Sequence, residues 1–287
     1  MCGAAREGLV WYITFMNLDE KEAKLEKLLQ EMAPVVVAFS GGVDSSYLAC
    51  KAHSVLGDRA LAVTAESPSV PSDQREMALR LAREFGFRHE VVSTAEMERE
   101  EYCQNPPERC FFCKDTLFAR LAGLAKQRGF ATVIDGLNAE DLNDYRPGRR
   151  AAAEHGVRSP LMEAGLNKEE IRQLSRRAGL PTADKPASAC LASRFPYGVR
   201  ITEEKLRTVD RGEKALRAMG FRIFRVRHHE DLVRLEFGPE DLRKAMQMEM
   251  ATELTRVFKE LGYKFVTLDL QGYRTGSLNE VLVTRIT

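Results

Sequence analysis

Val35 to Phe39 (VVVAF) is an unbroken apolar run, too short for a helix and rich in β-branched side chains, which predicts a buried parallel strand. Ser40-Gly41-Gly42-Val43-Asp44-Ser45 turns the chain, and apolar residues recur at helical spacing from Ser45 to Leu56. Ala60 to Ala65 predicts a second strand, His89 to Val92 a third, and Thr132 to Asp135 a fourth, ending in Asp135-Gly136-Leu137-Asn138. Between them Ser72 caps a helix to Phe85. Before them Asn17 or Asp19 caps an amphipathic helix to about Met32. Glu96 to Glu101 reads as a charged, solvated helix broken by Asn105-Pro106-Pro107, and Cys113 to Gln127 as a helix with Cys110 and Cys113 at its N-terminus. Asn167-x-x-Glu170 has the form of a capping box for a helix to Ala178. Strands alternating with helices of this length argue α/β: a doubly wound parallel sheet. Ligands of such sheets sit beyond the carboxyl ends of the strands, so Ser40, Thr64 and Asp135-Gly136 should face one crevice. Thr64 would border an adenine and ribose there, or be an ordinary strand residue.

From about Val199 the pattern changes. Thr202 caps a charged helix to Met219, and Arg222 to His228 and Leu232 to Phe237 predict two strands joined by His229-Glu230-Asp231. A helix runs from Pro239 to about Leu261, and Lys264 to Leu270 is a last strand. The chain thus divides into an α/β domain over 17–198 and a smaller α+β domain over 199–287, read as a substrate or oligomerisation unit. Period two puts Arg225 and Arg227 on one sheet face with Ile223, and Phe224 and Val226 on the other. Two arginines on one face either clamp a phosphate or lie in solvent. His228-His229, at the hairpin tip, reads as surface.

A chain of 287 residues suffices for two domains, and 44% apolar with 30% charged residues is the composition of a globular protein. Net charge is +1 and the sequence pI about 7.6, which argues against a dedicated nucleic-acid binder. Nothing approaches the length of a membrane span. Six cysteines, two of them in a C-x-x-C, suit a reducing cytoplasm and a metal or sulfur role. Met16-Asn17-Leu18-Asp19-Glu20 reads as a natural start, with the residues before Met16 an upstream-start extension.

The chemistry concentrates in three stretches. At the first, a strand, a glycine turn and a helix N-terminus make an anion site, because free N–H groups and the helix dipole both point at the turn. Gly41 and Gly42 would let the backbone approach a phosphate, Ser40 and Ser45 add hydroxyls, and Asp44 would hold Mg²⁺ or fix the loop. At the second, a helix N-terminus with flanking Arg109 and Lys114 favours thiolate at Cys110 and Cys113, as metal ligands or reactive sulfurs; two buried cysteines are the alternative. The third is the Pro-, Ser- and Ala-rich loop Asp184 to Arg194, where Lys185 and Arg194 flank Cys190. Cys2, Cys50 and Cys103 read as incidental.

Ser40 to Ser45 resembles the pyrophosphate loop of the ATP pyrophosphatases, whose fold is adenine nucleotide alpha hydrolase-like. With Asp135-Gly136-Leu137-Asn138, Asp144-Tyr145-Arg146-Pro147-Gly148, Ser159-Pro160-Leu161 and Cys190-Leu191-Ala192-Ser193-Arg194-x-Pro196-Tyr197-Gly198, the chain from about Asn17 onward is similar to the LarE family of ATP-dependent sulfur transferases. The resemblance implies a step in nickel-pincer nucleotide cofactor biosynthesis. With ATP and Mg²⁺, a carboxylate of pyridinium-3,5-dicarboxylate mononucleotide is adenylated, pyrophosphate leaves, and sulfur replaces the activated oxygen. The substrate is thus a small-molecule nucleotide, joined by sulfide or a sulfur donor. Its phosphate falls to Arg225 and Arg227, and Arg194 lies near the acyl-adenylate.

Some members of that family sacrifice one cysteine. Others carry three that hold a 4Fe-4S cluster, and Cys110, Cys113 and Cys190 match the second kind. Three thiolates leave one iron open to an exogenous sulfide, which would make the enzyme catalytic. A sacrificial Cys190 is the alternative. Zinc would need a fourth ligand, for which His155 is the loosely placed option. The family tends to form homo-oligomers, while the near-neutral charge argues against a nucleic-acid partner and the lack of a span-length apolar stretch against a membrane. A tRNA thiolase of the same superfamily is the competing reading, and a non-catalytic nucleotide or iron–sulfur carrier the one from another class.

Overall fold

The computed structural model describes residues 16–143, 147–186, 189–274 and 276–277. The proposed extension before Met16, the Asp144-Tyr145-Arg146 part of one motif, and Ala187 and Ser188 lie outside these residues.

Two sheets organise the described residues. The first has four parallel strands, β1 (Val35–Ala38), β2 (Ala60–Glu66), β3 (His89–Ser93) and β4 (Thr132–Ile134), in the order β3-β2-β1-β4. Its helices are α1 (Leu18–Met32), α2 (Val43–Leu56), α3 (Ser72–Glu84), α4 (Glu100–Cys103), α5 (Arg109–Arg128), α6 (Gly148–Glu154), α7 (Pro160–Glu163) and α8 (Lys168–Arg177). Both faces of β1 are covered, which is why its sequence is apolar without alternation. Val35 and Val37 join a core with Leu25 and Leu29 of α1, Leu48 of α2 and Leu174 of α8, whereas Val36 packs with Phe118 and Leu121 of α5 and Ala151 of α6. Strand order reverses between β1 and β4, and such a switch point opens a crevice at the carboxyl ends of the strands.

The capping signals hold at both expected helices: Asn17 with Glu20, and Asn167 with Glu170, each form a reciprocal capping box. Ser72 is not a cap. It is the first residue of α3, and its hydroxyl donates to Asp210 Oδ1 at 3.1 Å, a bond to an element absent from its local sequence. Glu96 to Glu101 is not one solvated helix. Glu96–Glu98 is a 3₁₀ turn, Glu100 opens α4, and Glu96 is 2% exposed.

The second sheet contains β5 (Phe224–His229), β6 (Leu232–Phe237) and β7 (Phe265–Leu268), with β5 antiparallel and β7 parallel to β6. α9 (Glu203–Ala218), α10 (Pro239–Ala245) and α11 (Met248–Glu260) pack on it. The single helix expected from Pro239 is broken at Gln247, whose backbone is extended. His228 is buried, its Nδ1 3.0 Å from the Tyr263 hydroxyl, so the hairpin end is not surface at that residue. The core of this unit also takes in Tyr102, Cys103, Leu191, Ala192 and Phe195. The turn that follows Cys190 is therefore packed against the C-terminal sheet.

Burial pushes the thiol of Cys50 on α2 up to about 12. An unfolded cysteine ionises near 8.5, so stability present below that pH is lost as pH rises toward the folded value. Melts under reducing conditions should therefore fall between pH 7.5 and pH 10. A flat profile would contradict the half-buried placement of Cys50.

Candidate active site

The Ser40–Ser45 loop joins β1 to α2 at the switch point. Gly41 has φ +72°, and a Cβ there would lie 2.9 Å from the Gln74 carbonyl oxygen of α3. Its glycine is required by the packing of the loop on α3, beyond any approach to phosphate. Gly42 caps α2 without a side chain, leaving the first N–H groups of that helix for an anion. The two serines shape the turn. Their Oγ atoms are 3.0 Å apart, the Ser40 N–H donates to Ser45 Oγ at 3.2 Å, and the Ser45 hydroxyl donates to the Gly42 carbonyl at 3.3 Å. Asp44 is bound by Lys168 of α8 at 2.7 and 2.8 Å, which ties the loop to that helix.

Gly136 closes the other side. A Cβ on it would stand 3.0 Å from the Ser45 nitrogen, so the end of β4 lies directly against the first turn of α2. Beside it Asp135 is buried and accepts from the Ser159 hydroxyl at 2.7 Å and from the Leu137 N–H at 3.2 Å. Burial raises its pKa against these bonds. Gly41→Ala should reduce ATP-dependent pyrophosphate release by more than tenfold and lower the melting temperature, since both φ and the Gln74 carbonyl oppose a methyl group; wild-type release would refute this placement.

Thr64 is buried in β2, where its hydroxyl donates to the Phe39 carbonyl at 2.9 Å and the His89 ring lies 2.8 Å away, so its side chain is engaged by the neighbouring strands.

The C-x-x-C pair lies further inside its helix than expected, because α5 begins at Arg109. Cys190 precedes the 3₁₀ turn Leu191–Arg194. That turn is fastened from several sides. The Leu191 N–H donates to the Ser69 carbonyl at 2.8 Å, Arg109 donates to the Ala192 carbonyl at 2.9 Å, and Arg227 donates to the Ser193 carbonyl at 2.8 Å. Arg109 also bonds Asn105 Oδ1, whose amide nitrogen reaches the Pro196 carbonyl at 2.7 Å. The same arginine thus ties the start of α5 to the Cys190 segment.

The charge of Cys190 bears on both Cys110 and Cys113. The expectation of favoured thiolates is overturned. Burial, then Cys190, pushes both thiols of the C-x-x-C pair up, and Arg109 and Lys114 offset this only in part. Cys110 is exposed and Cys113 and Cys190 are half-buried; as thiolates the three would repel one another, a set that a thiophilic metal would suit, because ligation takes the protons and supplies the cation. Among the described residues no three His, Cys, Asp or Glu side chains converge to hold one metal ion. Convergence on one ion is the demand of zinc; in a cubane each thiolate meets its own iron. His155 is bound to Asp115 Oδ1 at 2.7 Å, away from a zinc role.

Arg194 does not reach toward a substrate. It is 2% exposed and bonds Glu213 through Nε at 2.7 Å and Nη2 at 3.1 Å, while Nη1 donates to the carbonyls of Ala189 at 3.0 Å and Cys190 at 3.1 Å. It is a positioning residue for the Cys190 turn. Nor do Arg225 and Arg227 form an open clamp. Arg227 is buried against Glu236 with two bonds of 2.9 Å. Arg225 stacks on Tyr273, 4.6 Å from the ring centroid, and donates to the Tyr273 hydroxyl and the Phe224 carbonyl. Pairing with Glu236 could not be read from period two, because it depends on the β5–β6 register that sets Arg225 opposite Glu236 and Arg227 opposite Arg234.

Lys114 on α5 acts on Cys110 and Cys113 and also on Asp135, the neighbour of Gly136. Sequence reasoning missed Glu213, Asn105, Ser69, Glu96 and Tyr102 as supports of this site. None carries a local motif.

Comparison with known proteins agrees with this geometry. Residues 22–235 match the asparagine synthase family. The chain is 48% identical to an uncharacterized protein of Synechocystis over 91% of its length and 98% of that protein. It is 37% identical to the pyridinium-3,5-bisthiocarboxylic acid mononucleotide synthase of Lactiplantibacillus plantarum, over 93% of this chain and 96% of that one. A tRNA-specific 2-thiouridylase of Maricaulis maris is 30% identical, but over 54% of this chain and 47% of its own. With a family match over most of its length and near-complete alignment to that synthase, this protein belongs to the LarE family of PP-loop ATP pyrophosphatases.

Proposed function

We propose that this protein is an ATP-dependent sulfurtransferase acting on pyridinium-3,5-dicarboxylate mononucleotide in nickel-pincer nucleotide biosynthesis. A substrate carboxylate attacks the α-phosphorus of ATP, giving an acyl-adenylate and pyrophosphate. Hydrosulfide then replaces AMP at the acyl carbon, giving a thiocarboxylate, AMP and one proton. The observation that carries the reading is the Ser40–Ser45 loop at the free N-terminus of α2, closed by Gly136, where a Cβ would stand 3.0 Å from the Ser45 nitrogen. It supports binding of the ATP phosphates there, and alignment with the bisthiocarboxylic acid mononucleotide synthase supports the substrate.

In this reading the α2 N-terminus and the loop amides hold the pyrophosphate portion of Mg²⁺-ATP, stabilising charge as it departs. Lys168 keeps Asp44 and the loop in place. A 4Fe-4S cluster on Cys110, Cys113 and Cys190 would supply an open iron for sulfide. Arg194 and Arg227 fix the backbone on either side of Cys190. Arg225, close to the charge of Arg194, is assigned to the substrate phosphate. Residues 199–287 serve as the substrate and oligomerisation domain of a homo-oligomer. A cytoplasmic, reducing setting accords with the five described cysteines, all free thiols.

The test is AMP and pyrophosphate release with the dicarboxylate mononucleotide and ATP, read alongside thiocarboxylate by mass. Both should depend on the substrate. ATP binding without pyrophosphate release for any carboxylate would instead mark a carrier. Tight, steeply salt-dependent tRNA binding would favour the thiouridylase-like reading.

A further inference from the structure

The turn between α4 and α5 holds a residue kept against its local preference. Asn105 has φ +55°, in the left-handed region that non-glycine residues rarely enter, and it precedes Pro106, which favours extended backbone at the position before it. Such a conformation persists where the surroundings over-determine it. Here they do. Asn105 is 0% exposed, and a buried amide must spend two N–H donors and a carbonyl oxygen. Its Nδ2 donates to the Pro196 carbonyl at 2.7 Å and to the Val199 carbonyl at 3.1 Å, while Oδ1 accepts from Arg109 Nη1. Carbonyls on one side and a guanidinium on the other fix which way the amide faces.

Both sides of this joint lead to sulfur. Arg109 is the first residue of α5, and Cys110 comes next. The same Nη1 of Arg109 donates to the Ala192 carbonyl at 2.9 Å, in the turn that Cys190 precedes. The backbone repeats the connection: the Gly198 N–H donates to the Asn105 carbonyl at 2.9 Å, and the Ile201 N–H to the Cys103 carbonyl at 2.8 Å. The chain from Cys103 to Arg109 thus grips the chain from Ala192 to Ile201 along its length. The pyrophosphate loop is held separately, by α3 and Lys168.

We infer that Asn105 is a positioning residue for the sulfur-transfer step: its amide sets the Cys190 segment against the C-x-x-C end of α5, and adenylation proceeds without it. The inference rests on the three-cysteine sulfurtransferase reading above and names the residue that registers the two halves of that site.

The test compares Asn105→Gly and Asn105→Asp with the wild-type full chain. Glycine keeps the left-handed backbone and loses the side chain; aspartate, which also tolerates positive φ, keeps an acceptor for Arg109 and loses both donors. In anaerobically reconstituted protein, thiocarboxylate formed per pyrophosphate released should fall roughly ten- to a hundredfold in both variants, as for loss of a group that orients a site, while pyrophosphate release changes little. In metal-free, reduced protein, bridging of Cys190 to Cys110 or Cys113 by dibromobimane, mapped by peptide mass, should fall severalfold. Pyrophosphate and thiocarboxylate falling together, with their ratio unchanged, would overturn the inference and leave Asn105 a structural pin. Wild-type ratio and bridging in Asn105→Gly would also overturn it, leaving only the backbone conformation. A wild type that forms no Cys190 bridge overturns it as well. Were the wild type to release no pyrophosphate with the dicarboxylate mononucleotide, the sulfurtransferase reading would fall, and the bridging yields alone would decide whether Asn105 joins the two segments.

Discussion

Replacing any one of Cys110, Cys113 or Cys190 with alanine will lower sulfur incorporation by more than about a hundredfold, beyond the cost of losing an outer-shell partner of a metal. Iron in the reconstituted protein should fall from about four per chain, the content of one cubane, to less than one. Substrate-dependent pyrophosphate release should persist in all three variants, because the Ser40–Ser45 loop is held by α3, Lys168 and its own serines and by none of these sulfurs. The pattern across the set decides between mechanisms. Equal loss in all three follows from a shared cluster. Loss in Cys190→Ala alone, with sulfur transfer intact in the other two, follows from a sacrificial cysteine. Assaying iron, acid-labile sulfide and pyrophosphate in the same preparations separates failed sulfur delivery from failed adenylation.

The second large effect concerns the pair beneath the Cys190 turn. Arg194 and Glu213 are 2% and 1% exposed and share two hydrogen bonds. Burial acts to raise the Glu213 carboxyl, but Arg194 outweighs it and holds the pKa below the usual range. Glu213→Ala strands a buried guanidinium and should cost about 3–5 kcal/mol. At roughly 2–4 °C per kcal/mol for a chain of this size class, melting should drop by about 10 °C. The double variant Arg194→Met, Glu213→Leu removes both charges and should recover most of that stability, as apolar replacements of buried pairs do. It should still transfer sulfur poorly, because the carbonyls of Ala189 and Cys190 lose the donor that orients them. Full activity in a stable double variant would refute the positioning role.

Much of the scaffold was legible locally. VVVAF is apolar on consecutive residues because helices cover both faces of β1, and the pyrophosphate loop follows from a strand, two glycines and a helix start. The capping boxes at Asn17 and Asn167 depend on residues three apart and so were readable as such. The failures share one cause: each side chain is committed by a partner far along the chain. Arg194 is occupied by Glu213, and Arg227 by Glu236 and Ser193. Glu96 lies in a charged stretch that composition alone reads as solvated, yet its side chain is buried and accepts from Ser67 and Ser69. The electropositive setting of the C-x-x-C pair was correctly placed beside Arg109 and Lys114, but its sign of effect on the thiols was wrong, because desolvation exceeds those charges.

The most direct measurement is the fate of sulfur over several turnovers. Anaerobically reconstituted protein would be given ATP, Mg²⁺, the dicarboxylate mononucleotide and isotopically labelled hydrosulfide, and product and intact protein would be weighed by mass spectrometry. Catalytic transfer at the three-cysteine site predicts labelled thiocarboxylate in excess over protein chains, with the protein mass unchanged. Unlabelled product at no more than one sulfur per chain, with a protein lighter by one H₂S, would contradict it and identify Cys190 as the consumed source.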